Sequence, residues 1–133
     1  MSCINECPIA GKIDNIKVAE EIMQYNNSSV NKICLSDTCG TLNYKDFIEI
    51  VDTVNYYGMS FNRFSLHLHV NPNNIYNTKK IMFSAFDRGI NNFDVSDLST
   101  GGCSVTMKNE NICPNLSYDL YYEILTEYIE SKV

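Results

Sequence analysis

The sequence predicts an α/β fold with parallel strands, on the basis of the order and spacing of its apolar residues. Short apolar runs that suit buried strands alternate with segments of ten to fifteen residues whose apolar positions recur at helical spacing. Such alternation is typical of βαβ units, whose crossovers are right-handed almost without exception. The chain has 133 residues, 44% of them hydrophobic, which is the length of one domain covering residues 1–133.

The helices are predicted from apolar periodicity together with start and stop signals. Asp14 or Asn15 can cap the first helix, and Asn43 can cap the second, which Gly58 ends. Gly89 ends the third. The predicted helices run from Ile16 to Tyr25, from Asn43 to Gly58, from Asn74 to Arg88 and from Ser117 to about Ile129.

Three strands are predicted, at Lys32–Ser36, Phe64–Val70 and Ile90–Val95. In parallel sheets the chemistry gathers at the carboxyl ends of the strands, where loops vary over a rigid base. Polar residues cluster there in this chain. These are Asp37 with Thr38, His67 with His69, Asp94 with Ser96 and Asp97, and Gly101-Gly102-Cys103.

Charge and composition exclude several classes of function. The net charge is −6, the isoelectric point is about 4.7, and the ten Lys and Arg residues form no basic stripe, so we expect no nucleic-acid partner. No apolar run can span a bilayer, and the first residues lack the basic region of a signal peptide, which predicts a cytoplasmic protein with no membrane partner. We interpret the six cysteines as reduced thiols.

His67 and His69 are the two histidines of the chain, and they lie on one predicted strand. Because side chains alternate across a strand, Ser65, His67 and His69 share one face while Phe64 and Leu66 share the other. Two imidazoles at positions i and i+2 can bind a single divalent metal ion. A buried histidine can instead be a hydrogen-bonded core residue, but a polar pair at a strand end favours metal binding. Added oxygen ligands would favour Mg²⁺ or Mn²⁺.

Three other residues are candidates with open alternatives. Cys103 follows a glycine pair on a loop, which suits a mobile acid or base, or is an incidental cysteine in a turn. Asn115 can offer a carbonyl oxygen to the metal or be an ordinary helix-entry residue. Asp37 can be a general base, a partner of a ligating histidine or a cap of the following turn.

These motifs together resemble 3-hydroxy-3-methylglutaryl-CoA (HMG-CoA) lyase, in the wider family of metal-dependent (β/α)8-barrel lyases and acyl-CoA condensing enzymes. The resemblance covers nearly the whole chain and corresponds to the later half of the lyase. It rests on Gly11-Lys12-Ile13, Ser36-Asp37-Thr38-Cys39-Gly40, His67-Leu68-His69, Gly101-Gly102-Cys103 and Asn115-Leu116.

The resemblance implies a role for each candidate residue. His67, His69 and Asn115 match metal ligands, Cys103 matches a loop cysteine that assists proton transfer, and Asp37 matches an active-site carboxylate. Thr38 is expected to contact the substrate. The reaction implied is cleavage of an acyl-CoA, HMG-CoA, to acetyl-CoA and acetoacetate.

The resemblance also implies a partial TIM barrel made of about the last four of eight βα units, with the helices outside. The family's first-strand arginine and aspartate have no counterpart in the chain, so we expect a truncated homologue that is inactive alone. Open sheet edges and an inner apolar layer predict a homo-oligomer or a complementing barrel half as partner. The alternatives are an active lyase completed in that way, or a non-enzymatic module that binds a full-length lyase.

Overall fold

The computed structural model describes residues 3–7, 9–25, 31–96 and 114–132 of the chain. Across these ranges helices alternate with short strands, as the sequence predicted. The helices are α1 (Asn15–Met23), α2 (Tyr44–Tyr56), α3 (Ile75–Asp87) and α4 (Tyr118–Ser131). The strands are β1 (Glu6–Cys7), β2 (Gly11–Lys12), β3 (Ile33–Asp37), β4 (Phe64–Leu68) and β5 (Asn92–Phe93).

The main sheet of the described residues has the strand order β3-β4-β5 and is parallel throughout, as predicted. Strand β4 lies in the middle, so that His67 lies opposite Ser36 of β3. Strand β5 is much shorter than the predicted Ile90–Val95. Beyond β5, Asp94 N still donates to Leu66 O of β4 (2.9 Å). Ser96 N donates instead to Leu116 O (3.0 Å), in the segment that precedes α4.

The first unit of the chain departs from the predicted run of four parallel βα units. In the described residues it forms an antiparallel hairpin, with Cys7 of β1 opposite Gly11 of β2. Gly11 adopts a φ of 82°, a left-handed conformation that suits glycine in the turn that reverses the chain. Before the hairpin, Cys3 forms an antiparallel bridge with Asp37, and Ile4 N donates to Ser36 O (3.0 Å). The amino-terminal segment therefore contacts β3 without adding a parallel strand.

Each helix begins at a side chain that accepts a backbone N–H in its first turn. Asp14, Asn43 and Asn74 cap α1, α2 and α3, and Ser117 caps α4, which confirms the predicted starts. Helix α1 ends at Met23, two residues before the predicted end, and α4 continues to Ser131. None of the helices in the described ranges has the length and apolar character needed to cross a bilayer.

The hydrophobic core lies between the helices and one face of the sheet. Along β3 and β4 buried residues alternate with half-buried ones. The buried residues, which include Leu35 and Leu66, form one cluster with apolar residues of α1, α2, α3 and α4. The other face carries Cys34, Ser36 and His67. The expectation of an inner apolar layer is therefore wrong for the described strands, because the alternation places small and polar side chains there.

Candidate metal centre

The two histidines lie at the carboxyl end of β4, on the face of the sheet away from the core. His67 is within the strand and His69 follows its last residue, and both side chains are half-buried. Their ring centroids are 5.0 Å apart, and the ring planes are inclined by 56°. The alternation of side chains predicted this shared face, and the structure confirms it.

Asn115 is brought beside His69 by the segment that precedes α4. Val70 N donates to Pro114 O (2.7 Å) and Leu116 N donates to Leu68 O (3.0 Å), so Asn115 pairs with His69 in an antiparallel bridge. A side-chain contact also joins the two residues. The structure therefore brings together the three residues that the sequence analysis selected as metal ligands.

The hydrogen bonds of the histidines determine which ring nitrogen remains for a ligand. His69 Nδ1 lies 2.9 Å from the backbone carbonyl oxygen of Asp37, which can only accept, so this nitrogen carries the proton. His67 Nδ1 lies 3.0 Å from Asp94 Oδ2, and a carboxylate oxygen accepts a hydrogen bond. In the neutral form of each ring, Nε2 is then the unprotonated nitrogen, which is the one that can coordinate a metal ion.

The electrostatic environment of His69 favours its neutral form. Burial lowers the pKa of His69, and the neighbouring His67 lowers it further, against opposing contacts from the Asp37 carbonyl and Asn115. Metal ions bind the neutral ring, so this shift reduces competition from protons. The environment of His69 therefore favours the protonation state that a metal ion needs.

Asp94 is a residue of the site to which the sequence analysis assigned no role. Its Oδ2 accepts the hydrogen bond from His67 Nδ1 and another from Cys34 Sγ (3.7 Å), so it connects side chains on neighbouring strands. A carboxylate that orients a ligating imidazole is a common companion of metal ligands. The signal in the sequence was an acidic residue at the end of the strand next to the histidine strand.

The side chain of Asp37 points to the core face of the sheet and is almost fully buried. Its carboxylate accepts hydrogen bonds from Thr41 N (3.2 Å) and Leu42 N (3.1 Å), which closes the turn after β3. Burial raises the pKa of Asp37 to about 6, although these backbone N–H groups lower it. Of the three roles left open, the hydrogen bonds favour the turn cap, and the backbone carbonyl serves as partner of His69.

Two further residues were predicted to belong to the site. Thr38 is half-buried in the turn that follows β3. Cys103, with the glycine pair before it, lies outside the described residues. Among the side chains that the structure does describe, no group of three or more His, Cys, Asp or Glu could hold a metal ion. Asn115, which pairs with His69, carries an amide oxygen, the type of atom that would complete a set of three ligands with the two imidazoles.

Solved structures with the same arrangement of helices and strands include the HMG-CoA lyases of Brucella melitensis and Pseudomonas aeruginosa. The TM-scores are 0.75 and 0.72, and the sequences are 22% identical in each case. The fold of this chain is similar to that of part of an HMG-CoA lyase. The aligned region covers 95% and 96% of this chain but 42% and 41% of those lyases. The resemblance inferred from the motifs is thus confirmed at the level of the fold.

A third HMG-CoA lyase, from Acinetobacter baumannii, was solved in complex with coenzyme A and 3-methylmalate. It has a TM-score of 0.69 and 24% identity, and the alignment covers 92% of this chain and 38% of that lyase. Comparisons with protein-family models and with curated protein sequences give no match. The chain thus spans about 40% of the length of the HMG-CoA lyases whose fold it shares.

Proposed function

We propose that the chain is a truncated homologue of HMG-CoA lyase, a partial TIM barrel that binds a divalent metal ion, Mg²⁺ or Mn²⁺, through His67, His69 and Asn115. The substrate class is an acyl-CoA, and the reaction of the complete site is cleavage of HMG-CoA to acetyl-CoA and acetoacetate. The 133-residue chain by itself is inactive, because the first-strand arginine and aspartate expected in this family have no counterpart in its sequence.

The observation that carries the metal proposal is the hydrogen bonding of both Nδ1 atoms. In the neutral form of each ring, the hydrogen bonds to Asp94 and to the carbonyl of Asp37 favour the tautomer with the proton on Nδ1, which would leave Nε2 for the metal ion. Two nitrogens and one amide oxygen leave further coordination positions for substrate oxygens. The support for an acyl-CoA substrate is the shared fold with a lyase that binds coenzyme A.

Each residue of the proposed site has its own role in the reaction. A bound divalent ion would polarise the hydroxyl and carboxylate oxygens of the substrate. His67, His69 and Asn115 would hold that ion, and Asp94 would keep the His67 ring in position. A base would remove the proton of the substrate hydroxyl as the carbon–carbon bond breaks, and Cys103 would protonate the carbon of the resulting thioester enolate. Thr38, in the turn after β3, would contact the substrate.

Metal binding is tested by titrating the purified chain with Mn²⁺ and following bound ion by electron paramagnetic resonance. We expect one bound ion per chain, and loss of measurable binding in His67→Ala and in His69→Ala. Ser36→Ala is the matched control, because Ser36 lies opposite His67 on the same face of the sheet. Binding that survives both histidine substitutions would exclude this site.

Inactivity of the isolated chain is tested by assaying thioester cleavage of HMG-CoA with added Mn²⁺ or Mg²⁺. We expect no turnover above background. Robust turnover that His67→Ala abolishes would overturn this part of the proposal. It would support the alternative of an active lyase, in which a second copy or a separate barrel half completes the site.

The alternatives differ in the partner that they need. An active lyase requires a homo-oligomer or a stoichiometric partner that carries the missing arginine and aspartate, whereas an interaction module requires a full-length lyase. Light scattering of the chain alone measures whether it forms a homo-oligomer, and light scattering after mixing with a full-length HMG-CoA lyase measures whether it binds that protein. Because the chain alone supplies an incomplete site, we expect activity to appear only with a partner that contributes this pair.

A further inference from the structure

A pocket of about 350 Å³ lies along α3, where this helix meets the start of α2. That volume is at the lower end of the range of small-molecule sites, about 300–1,000 Å³. The pocket combines aromatic rings with positive charges. These belong to Tyr44, Tyr76 and Phe83, and to Lys79, Lys80 and Arg88. Among the described residues, none that lines this pocket belongs to the candidate metal centre.

Hydrogen bonds hold the two walls of the pocket together. Asn77, in the first turn of α3, accepts a hydrogen bond from Tyr44 N (2.8 Å). Its Nδ2 donates to the carbonyl oxygen of Leu42 (2.8 Å), just before α2. Tyr44 is the first residue of α2, so these bonds fix its position beside α3. The pocket is therefore formed by the fold itself, which reduces the ordering cost of binding a ligand.

Lys80 is positioned in the pocket by tyrosine rings. Its Nζ lies 4.7 Å from the centroid of the Tyr44 ring and 5.3 Å from the centroid of the Tyr76 ring. At these distances the ring faces attract the ammonium group through cation–π interactions. The rings carry no net charge, so they restrain the ammonium group without neutralising it.

The other charged residues that line the pocket form ion pairs. The pairs are Lys79 with Glu127 (2.7 Å), Arg88 with Asp52 (3.0 Å) and Asp87 with Lys132 (3.1 Å). Within the part of the chain that the structure describes, Lys80 forms no ion pair. The pocket thus holds one restrained positive charge that lacks a carboxylate partner, although the whole chain has a net charge of −6.

From these contacts we infer that the pocket is a binding site for a small aromatic anion. Lys80 pairs with the anionic group as a point charge. The ring of the ligand packs against Tyr76, which is 68% exposed, in an offset or edge-to-face arrangement. A cavity of about 150 Å³ already accommodates benzene, so a pocket of about 350 Å³ has room for a ring together with a charged substituent.

The experiment titrates the full chain with phenyl phosphate and measures the dissociation constant by isothermal titration calorimetry. Phenol supplies the ring without the charge, and inorganic phosphate supplies the charge without the ring. We expect each of these two to bind at least about tenfold more weakly than phenyl phosphate, because each makes only one of the two contacts. Equal affinities for phenyl phosphate and inorganic phosphate would overturn the assignment, since the aromatic wall would then add nothing.

Substitution of Lys80 tests the charge. Lys80→Ala should weaken the binding of phenyl phosphate at least about tenfold, and far-ultraviolet circular dichroism checks that the helices are kept. Lys45→Ala is the matched control, because Lys45 is an exposed lysine on α2 that does not line the pocket. It removes the same charge and should leave the affinity unchanged. Equal losses in the two variants would mean that only net charge matters, and this result would overturn the assignment.

Substitution of Tyr76 tests the ring contact independently. Tyr76→Ala should also weaken the binding of phenyl phosphate, because the ligand ring loses its packing partner. Tyr56→Ala is the matched control, since Tyr56 is 82% exposed at the end of α2 and does not line the pocket. Unchanged affinity in Tyr76→Ala would exclude the aromatic contact and with it a site for aromatic anions.

Discussion

Asp94 controls the orientation of His67 in this fold. Its carboxylate oxygen Oδ2 accepts from His67 Nδ1 at 3.0 Å, and the Asp94 side chain is half exposed. An ionised acceptor at Nδ1 keeps the proton there and increases the basicity of Nε2. We therefore expect the affinity of the proposed site for a metal ion to depend on Asp94, which is not one of the proposed ligands.

The first prediction concerns this residue. Asp94→Ala should weaken Mn²⁺ binding by about 10- to 100-fold, because the His67 ring loses its orienting acceptor. Glu20→Ala is the matched control, since it removes the same charge from an exposed position on α1 and should leave the affinity unchanged. Titration with Mn²⁺ measures both. Equal affinities for the wild type and Asp94→Ala would show that the ring is held by other contacts.

The second prediction concerns Asp37, whose pKa is raised from 3.8 to about 6 by burial. A raised pKa means that the folded chain binds a proton more tightly than the unfolded chain, so the stabilisation is present at low pH and is lost as the pH rises through about 6. Relative to Asp37→Asn, which stays neutral, the wild type should lose about 1 kcal/mol of stability between about pH 5 and about pH 7.

Urea unfolding of the wild type and of Asp37→Asn at these two pH values measures the change. Taking the difference between the two proteins removes the contribution of all other titrating groups. A difference that is the same at both pH values would mean that Asp37 titrates alike in the folded and unfolded chain. If the wild type instead became more stable relative to Asp37→Asn as the pH rises, the backbone hydrogen bonds to Asp37 would lower its pKa by more than burial raises it.

The histidine pair could be found from the sequence, but its partners could not. Strand alternation is a local property, and it places His67 and His69 on one face without knowledge of the fold. The contact between His67 and Asp94 depends on the register of β4 with β5, which is set by tertiary packing. The role of Asp37 could not be predicted from the sequence either, because its three possible roles depend on the direction of its side chain in the fold.

Among the elements, the helices were predicted best because their signals are local. Asp14, Asn43 and Ser117 each accept a hydrogen bond within the first turn that they begin. The strands depend on partners far along the chain. Strand β5 is short because the backbone after Asp94 pairs with the segment before α4. The first unit forms an antiparallel hairpin where the family resemblance implied a parallel βα unit.

The third prediction tests the capping of α2. The side chain of Asn43 accepts from Asp46 N at 2.8 Å and also donates to its carboxylate at 3.0 Å. Asn43→Ala should lower the free energy of unfolding by about 1 kcal/mol, since a helix N-terminal N–H loses its acceptor. Asn55→Ala makes the same exchange at an exposed position inside α2 and should be neutral or slightly stabilising. Equal effects of the two substitutions in thermal unfolding would contradict the capping role.

At the scale of the whole molecule, the described elements share one hydrophobic core. Residues of β3 and β4 pack with residues from every described helix, while the opposite face of the sheet carries small and polar side chains. The residues that stabilise the fold and the residues of the proposed metal site therefore lie on opposite faces of the sheet. Substitutions on the core face should affect folding, and those on the histidine face should affect binding, so the two can be measured independently.

The fourth prediction follows from this single core. Leu66 lies in the central strand and is fully buried, so Leu66→Ala should lower the free energy of unfolding by about 2–5 kcal/mol through lost contacts and a residual cavity. Ile9→Ala is the control, because Ile9 is 83% exposed and its removal should change stability by less than about 0.5 kcal/mol. Urea unfolding followed by far-ultraviolet circular dichroism and by tyrosine fluorescence should give coincident transitions in both variants. If Leu66→Ala shifted only one of the two signals, the helices and the sheet would be unfolding separately, and the single core inferred from the packing would be wrong.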